Sequence, residues 1–241
     1  MYVKKIFGGI LIIIILISGG LYWLMDSYQA TDKARQLMET EETINFDQDN
    51  NWIIAQPQHS TTKGIIFYPG ARVKPKAYIP LSHKLSQQGY LVVTAVMRFD
   101  LAIFGVDRAN EIIEAFPQID NWTIAGHSLG GAMAGRYLKN NQDKINNLIL
   151  LASYIDDGDD LSEYENLKVL SVFGAQDEIV TKDDIEESKN YLPADTVFKE
   201  ITGANHSQFG YYGFQNNDGQ ASISRSRQHE LIVEKIVVFL N

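Results

Sequence analysis

The chain has 241 residues, 45% of them apolar and 21% charged, with no cysteine and a net charge of −9. That composition suits one globular domain with a sizeable core. It excludes a disulfide framework, a thiolate metal site, a thiol nucleophile and a lipoprotein anchor, and the acidic balance excludes a nucleic-acid partner held by long-range attraction.

Residues 6–25 run twenty positions without a charge. A helix of that length spans a hydrocarbon core of about 30 Å. Lys4 and Lys5 precede the run, Tyr22 and Trp23 stand at its far end, and Asp26 follows. The positive-inside rule then leaves the N-terminus in the cytoplasm and the body outside. The expectation is one N-terminal transmembrane helix, a signal anchor over 1–25. Its alternative is a cleaved signal peptide and a secreted body, against which stand the length of the run and the lack of a small-x-small cleavage site. Residues 26–42 are polar and helix-favouring and read as a linker helix, which leaves 43–241 as one domain.

Within that domain, 43–47 and 52–55 are short strand candidates around a turn-rich 48–51. Residues 64–68 form a continuous apolar run stopped by Pro69-Gly70, the pattern of a buried parallel strand. Helical periodicity follows over 75–88, ended by Gly89. Residues 90–96 are the next buried strand and 106–116 an amphipathic helix. Further strands are expected at 147–152, 168–173 and 196–201, with helices at 182–191 and 228–240. Alternation of strand and helix from residue 64 onward predicts an α/β fold, a mostly parallel sheet with helices on both faces. Only 153–168 separates two of its strands, which is room for a minimal cap.

The stretch Trp122-Thr123-Ile124-Ala125-Gly126-His127-Ser128-Leu129-Gly130-Gly131 carries the chemistry. A β-favouring run enters Gly-x-Ser-x-Gly, and a helix-like segment over 131–139 leaves it. This is the setting of a nucleophile elbow, in which Ser128 is pushed out above the sheet edge. The Leu129 amide then faces any oxyanion formed on a bound carbonyl. A serine hydroxyl needs a base. Of the five histidines, His206 alone follows the last strand at the edge where the elbow opens. Asp177 follows the preceding strand and would fix the imidazole tautomer; Glu178 is adjacent to it. Asp156, Asp157, Asp159 and Asp160 read as a solvated loop or, at a stretch, a cation site. The second oxyanion donor is expected after strand 64–68: the Ala71 amide, with Arg72 as runner-up, since Pro69 has no N–H.

These residues resemble the α/β-hydrolase superfamily, in particular the small bacterial α/β-hydrolase fold family 5, which is also described as dienelactone-hydrolase-like. The resemblance covers residues 40–241. It rests on Phe67-Tyr68-Pro69-Gly70-Ala71-Arg72-Val73, Gly89-Tyr90-Leu91-Val92-Val93, Gly126-His127-Ser128-Leu129-Gly130-Gly131, Phe173-Gly174-Ala175-Gln176-Asp177 and Gly203-Ala204-Asn205-His206. It implies a nucleophile on Ser128, an acid on Asp177 and a base on His206. Pro69-Gly70 stands where many lipases and esterases carry His-Gly, and the cysteine nucleophile of dienelactone hydrolases is absent.

The expected activity is serine hydrolysis of an ester-type carbonyl on a small-molecule acyl substrate, without cofactor or metal. The loops 97–104 and 209–215 are expected to line the substrate pocket through Phe99, Phe209 and Tyr211, with Arg72 of the loop after strand 64–68 beside them. The rival readings are a non-catalytic binding module on the same fold, and an acyltransferase or haloperoxidase-like activity on the same triad.

Overall fold

A computed structural model describes residues 26–241 apart from 48, 50, 142 and 143. The apolar run over 6–25 lies outside the described residues; among those described, no helix is long and apolar enough to cross a membrane.

Among the described residues eight strands form one sheet: β1 (Ile44–Phe46), β2 (Trp52–Ala55), β3 (Lys63–Tyr68), β4 (Leu91–Ala95), β5 (Asn121–His127), β6 (Asn147–Leu151), β7 (Lys168–Gly174) and β8 (Val197–Ile201). Their order is β1-β2-β4-β3-β5-β6-β7-β8. Strands β3 to β8 are mutually parallel, while β2 runs antiparallel to both β1 and β4. The first of the parallel strands, β3, is therefore central, which buries Ile65 to Tyr68 on both faces.

Six α-helices are described: α1 (Asp32–Thr40), α2 (Ile79–Ser86), α3 (Arg108–Ala115), α4 (Leu129–Asn140), α5 (Lys182–Ser188) and α6 (Arg225–Leu240). Alternate strand residues divide the core between two layers. Ile65, Phe67, Ile149 and Val172 pack with Ala34 of α1, Leu81 and Leu85 of α2, and Ile232 and Ile236 of α6. Ile66, Tyr68, Leu148 and Val169 pack with Ala109 and Ile112 of α3 and with Met133 and Tyr137 of α4. Between β6 and β7 there is one 3-10 turn, Asp157–Asp159.

Helix ends differ from the expected bounds. The stretch from Pro75 opens with a 3-10 turn, Pro75–Tyr78, before α2 begins. Helix α6 starts at Arg225, where the Ser224 hydroxyl accepts the Arg227 amide. The larger correction concerns 26–42, expected to be a spacer. Only Asp32–Thr40 is helical, and Ala34 is buried in the core. Before it, Tyr28 forms a parallel bridge to Val73: the Tyr28 amide donates to the Arg72 carbonyl at 2.6 Å, and the Lys74 amide to the Tyr28 carbonyl at 3.0 Å. The Thr31 amide donates to the Tyr211 carbonyl at 2.8 Å. Polar composition reads as a linker helix; the backbone hydrogen bonds tie Tyr28 and Thr31 to the loops at 72–74 and 211.

Ile149, fully buried between Ala125 and Leu170 in the sheet, tests the core. Ile149→Ala is expected to cost about 2–5 kcal/mol. It should appear as a lower urea midpoint at unchanged slope.

Candidate active site

Strand β5 passes into α4 through Ser128, whose φ of 51° and ψ of −126° leave it outside the regions an L-residue favours. The turn is sharp because helix and strand backbones touch. A Cβ on Gly126 would overlap the Gly130 backbone, and one on Gly130 would overlap the backbone of Tyr68. Glycine at these two positions is a steric requirement. The Ser128 amide donates to Leu151 O at 3.0 Å, and the Ser153 hydroxyl donates to Ser128 O at 2.7 Å. Strand β6 thus holds the elbow from the side.

Asp177 and His206 are brought together from the loops after β7 and β8. His206 Nδ1 lies 2.9 Å from Asp177 Oδ2, both side chains buried. Asp177 Oδ1 accepts the amides of Ile179 at 2.9 Å and Val180 at 2.8 Å. A carboxylate held by two amides on one oxygen keeps the other aimed at the imidazole. The opposite ring nitrogen, His206 Nε2, is buried and has no partner among the described residues. The His206 ring stands 4.6 Å from that of His127, the residue before Ser128. Ile179 and Val180 share a cleft wall with Ser128. These contacts converge on one edge.

Several groups that hold His206 carry no sequence signal. Asp218 accepts the His206 amide at 3.2 Å, and its second oxygen accepts the Ser207 amide at 2.7 Å and the Ser207 hydroxyl at 2.6 Å. Gln228 of α6 accepts the Asn205 amide at 3.3 Å and donates to the Asn205 carbonyl at 2.9 Å. Beneath the site, His127 Nδ1 lies 2.9 Å from the Tyr78 hydroxyl, which accepts the Gly70 amide at 3.0 Å. Burial, followed by the charge of the neighbouring His206, holds His127 well below the ordinary imidazole range. His127 is thus a neutral structural group. His229 is likewise buried, near Gln208 O at 3.0 Å, and burial pushes it down to about 3.

The residues expected to line a pocket are placed elsewhere. Phe209 is fully buried and stacks on His127, with ring centroids 5.6 Å apart. Tyr211 packs edge-on against His229 at 4.8 Å. An aromatic loop beside a catalytic edge packs inward here because His127 and His229 offer rings to pack on. Arg72 is turned to Asp26, whose carbonyl and carboxylate it meets. Its amide donates to Asp100 O at 2.7 Å. That removes the Arg72 amide as an oxyanion donor. Among the described residues the amides of Ala71 and Leu129 donate no hydrogen bond. Phe99 is exposed and packs edge-on against Phe104 at 5.8 Å.

The cleft that reaches Ser128 opens on the other side. It has a volume of about 330 Å³ and is walled by Leu129, Ala132 and Met133 of α4 and by Ser153 and Ile155 after β6. Arg136 and Asp159 also line it, two helical turns from Ser128 and so about 12 Å along α4. Arg136 Nε lies 3.0 and 2.9 Å from the two Asp159 oxygens. That ion pair occupies one of the two members of the acidic cluster that line the cleft, the other being Asp156. Asp156 and Asp160 cap the local amides of Gly158 and Ser162.

A sequence profile of the Alpha/beta hydrolase family matches residues 64–230. The chain belongs to that family. No curated protein matches it. Among solved structures it is similar to Est1E from Butyrivibrio proteoclasticus, at 17% identity over 83% of this chain and 99% of that one, with a TM-score of 0.58. It is also similar to the monoacylglycerol lipase of Paleococcus ferrophilus, at 15% identity over 76% and 96%, TM-score 0.57. A third is the esterase domain of a Rhodothermus marinus protein, at 12% identity over 81% and 95%, TM-score 0.59. At these identities the likeness speaks for the fold.

Two outcomes follow from the network around His206. Asp218→Ala strands three buried donors, and at about 1–3 kcal/mol for each the variant should melt well below the parent in a calorimeter. His229 binds a proton near 6.5 when unfolded but only near 3 when folded. The unfolded chain therefore takes up the extra proton between those values, and stability is lost as pH falls through that window. Urea unfolding at a series of pH values should show the loss, and His229→Gln should flatten it.

Proposed function

We propose that this family member is a serine hydrolase that cleaves a carboxylic ester through an acyl-enzyme, with Ser128 as nucleophile, His206 as base and Asp177 as the acid that orients it. The observation that carries the reading is the buried 2.9 Å contact of His206 Nδ1 with Asp177, which leaves Nε2 without a partner at the edge where the strained Ser128 turn opens. Asp177 fixes the Nδ1–H tautomer, so Nε2 presents its lone pair. It takes the Ser128 proton as Oγ attacks the carbonyl carbon. The oxyanion is met by the amides of Leu129 and Ala71, which no protein acceptor occupies. His206 then returns the proton to the leaving alkoxide, and water, deprotonated by the same nitrogen, releases the acid.

The cleft supports a small or slender acyl substrate. Beside Ser128 and Ser153 its walls are the apolar Leu129, Ala132, Met133 and Ile155, and its charged end lies about two helical turns away at Arg136. The short segment between β6 and β7 leaves it open from above.

The domain is carried at the membrane surface by the apolar run over 6–25, with its catalytic edge extracytoplasmic. The run's length and the Lys4-Lys5 flank support this placement.

The test is the intact mass of the full chain after treatment with a fluorophosphonate. One adduct on the parent and none on Ser128→Ala is expected. Ester turnover by Ser128→Ala should fall by about three orders of magnitude or more. An unmodified, folded parent would instead favour a binding module.

A further inference from the structure

We infer that the catalytic edge itself rests on the bilayer, through an apolar rim formed by Phe99, Ile103 and Phe104. The inference rests on the membrane anchoring proposed above and adds an orientation to it.

The first observation is an asymmetry. Among the described residues the exposed large apolar side chains are Phe99, Ile103, Phe104, Tyr154, Phe214 and Val238. The first three follow β4, Tyr154 follows β6 and Phe214 follows β8. Five of the six thus lie on loops leaving the carboxyl ends of parallel strands, the edge that carries Ser128, Asp177 and His206. Val238 is near the end of α6, and Asn241, the residue after that helix, approaches Lys63 at the opposite edge. Apolar surface gathered on one edge marks a contact surface.

The rim is built to face outward. Phe99 and Asp100 both have φ near 55°, a conformation that costs energy for residues with a side chain. The turn is held by the Asp100 carboxylate, which accepts Ser27 Oγ at 2.6 Å and meets Lys74 Nζ at 2.7 Å. The Arg98 guanidinium lies 4.9 Å from the centre of the Phe99 ring, exposed beside it. An aromatic ring with an arginine over it is the pairing that suits a lipid interface, ring among the acyl chains and cation at the phosphate. Arg98 is one cation in an acidic chain, so zwitterionic rather than anionic lipid is the fitting surface.

The second observation is the missing slack. Asp26 is the residue next to the apolar run, and its carbonyl and carboxylate are held by Arg72. Ser27 is held by Asp100, directly after Phe99, and Tyr28 is bridged to Val73. In sequence the apolar run ends at residue 25, directly before Asp26. A membrane segment joined there, with no free spacer, brings Phe99 and its neighbours to the lipid surface. A spacer over 26–42 would have left the domain free to tumble; the docked segment does not.

The absence of cysteine makes the test direct. Ile103→Cys, Phe104→Cys and Val238→Cys, each in the full chain, are labelled with an environment-sensitive fluorophore and reconstituted into phosphatidylcholine vesicles containing doxyl-labelled lipid. All three positions are exposed, so each variant keeps the core intact. Co-flotation with the vesicles, together with several-fold stronger doxyl quenching at 103 and 104 than at 238, is the expected result. Co-flotation with equal quenching at all three positions overturns the orientation and leaves the anchor standing. Failure to float overturns the anchor and the orientation with it. A blue shift at 104 that follows protein concentration and ignores doxyl lipid puts a second copy of the chain on the rim and overturns the bilayer as occupant. None of these readouts depends on ester cleavage, so the fluorophosphonate result stands or falls separately.

Discussion

The backbones of β5, α4 and β3 meet at a separation that admits no Cβ, and the geometry of the candidate site depends on that approach. Gly126 lies against Gly130, and Gly130 against Tyr68. A helix packed this tightly must begin at once after the strand, so Ser128 has to make the whole turn in one residue at a cost of order 1–3 kcal/mol. The central sheet absorbs that cost. Tyr68 and Ile124 are fully buried, and Leu151 and Ser153 hold Ser128 at both its amide and its carbonyl. Strain at the elbow is the local expression of a core that cannot relax around it.

The histidine side of the edge is organised differently. No strand carries His206. Its loop is suspended from side-chain acceptors, Asp218 and Gln228, and from Asn205, which donates to Gly219 O at 2.8 Å and accepts the Gln208 amide at 3.1 Å. Such a network is rigid when every member is satisfied and costly when one is lost. The two halves of the edge are therefore fixed by different physics: steric closure beneath Ser128, and a buried polar lattice around His206. His127 joins them, touching Tyr78 and Gly70 on one side and the His206 and Phe209 rings on the other.

What was legible in the sequence follows the same division. Continuous apolar runs located β3 to β7, with glycine or proline bounding those of β3, β4, β5 and β7, because strands buried on both faces need apolar residues throughout. The elbow was legible because its glycines are a steric requirement. Asp177 and His206 were legible by order, since each follows a strand at the same edge. Asp218 and Gln228 were not, because a side-chain acceptor that serves a loop 12 or 23 residues away leaves no periodicity. The inward packing of Phe209 and Tyr211 was missed for a related reason: aromatic loops line pockets or fill them according to which partners lie beneath. The 26–31 segment, polar and short, gave no sign of its backbone bonds to 72–74 and 211.

Those bonds also govern when the fold can close. Thr31 pairs with Tyr211, so a residue near the start of the described chain waits on one in its last third. Contacts of such separation form late. A chain made from its N-terminus exposes the 26–42 segment and the buried runs of β3 to β7 long before their closing partners exist.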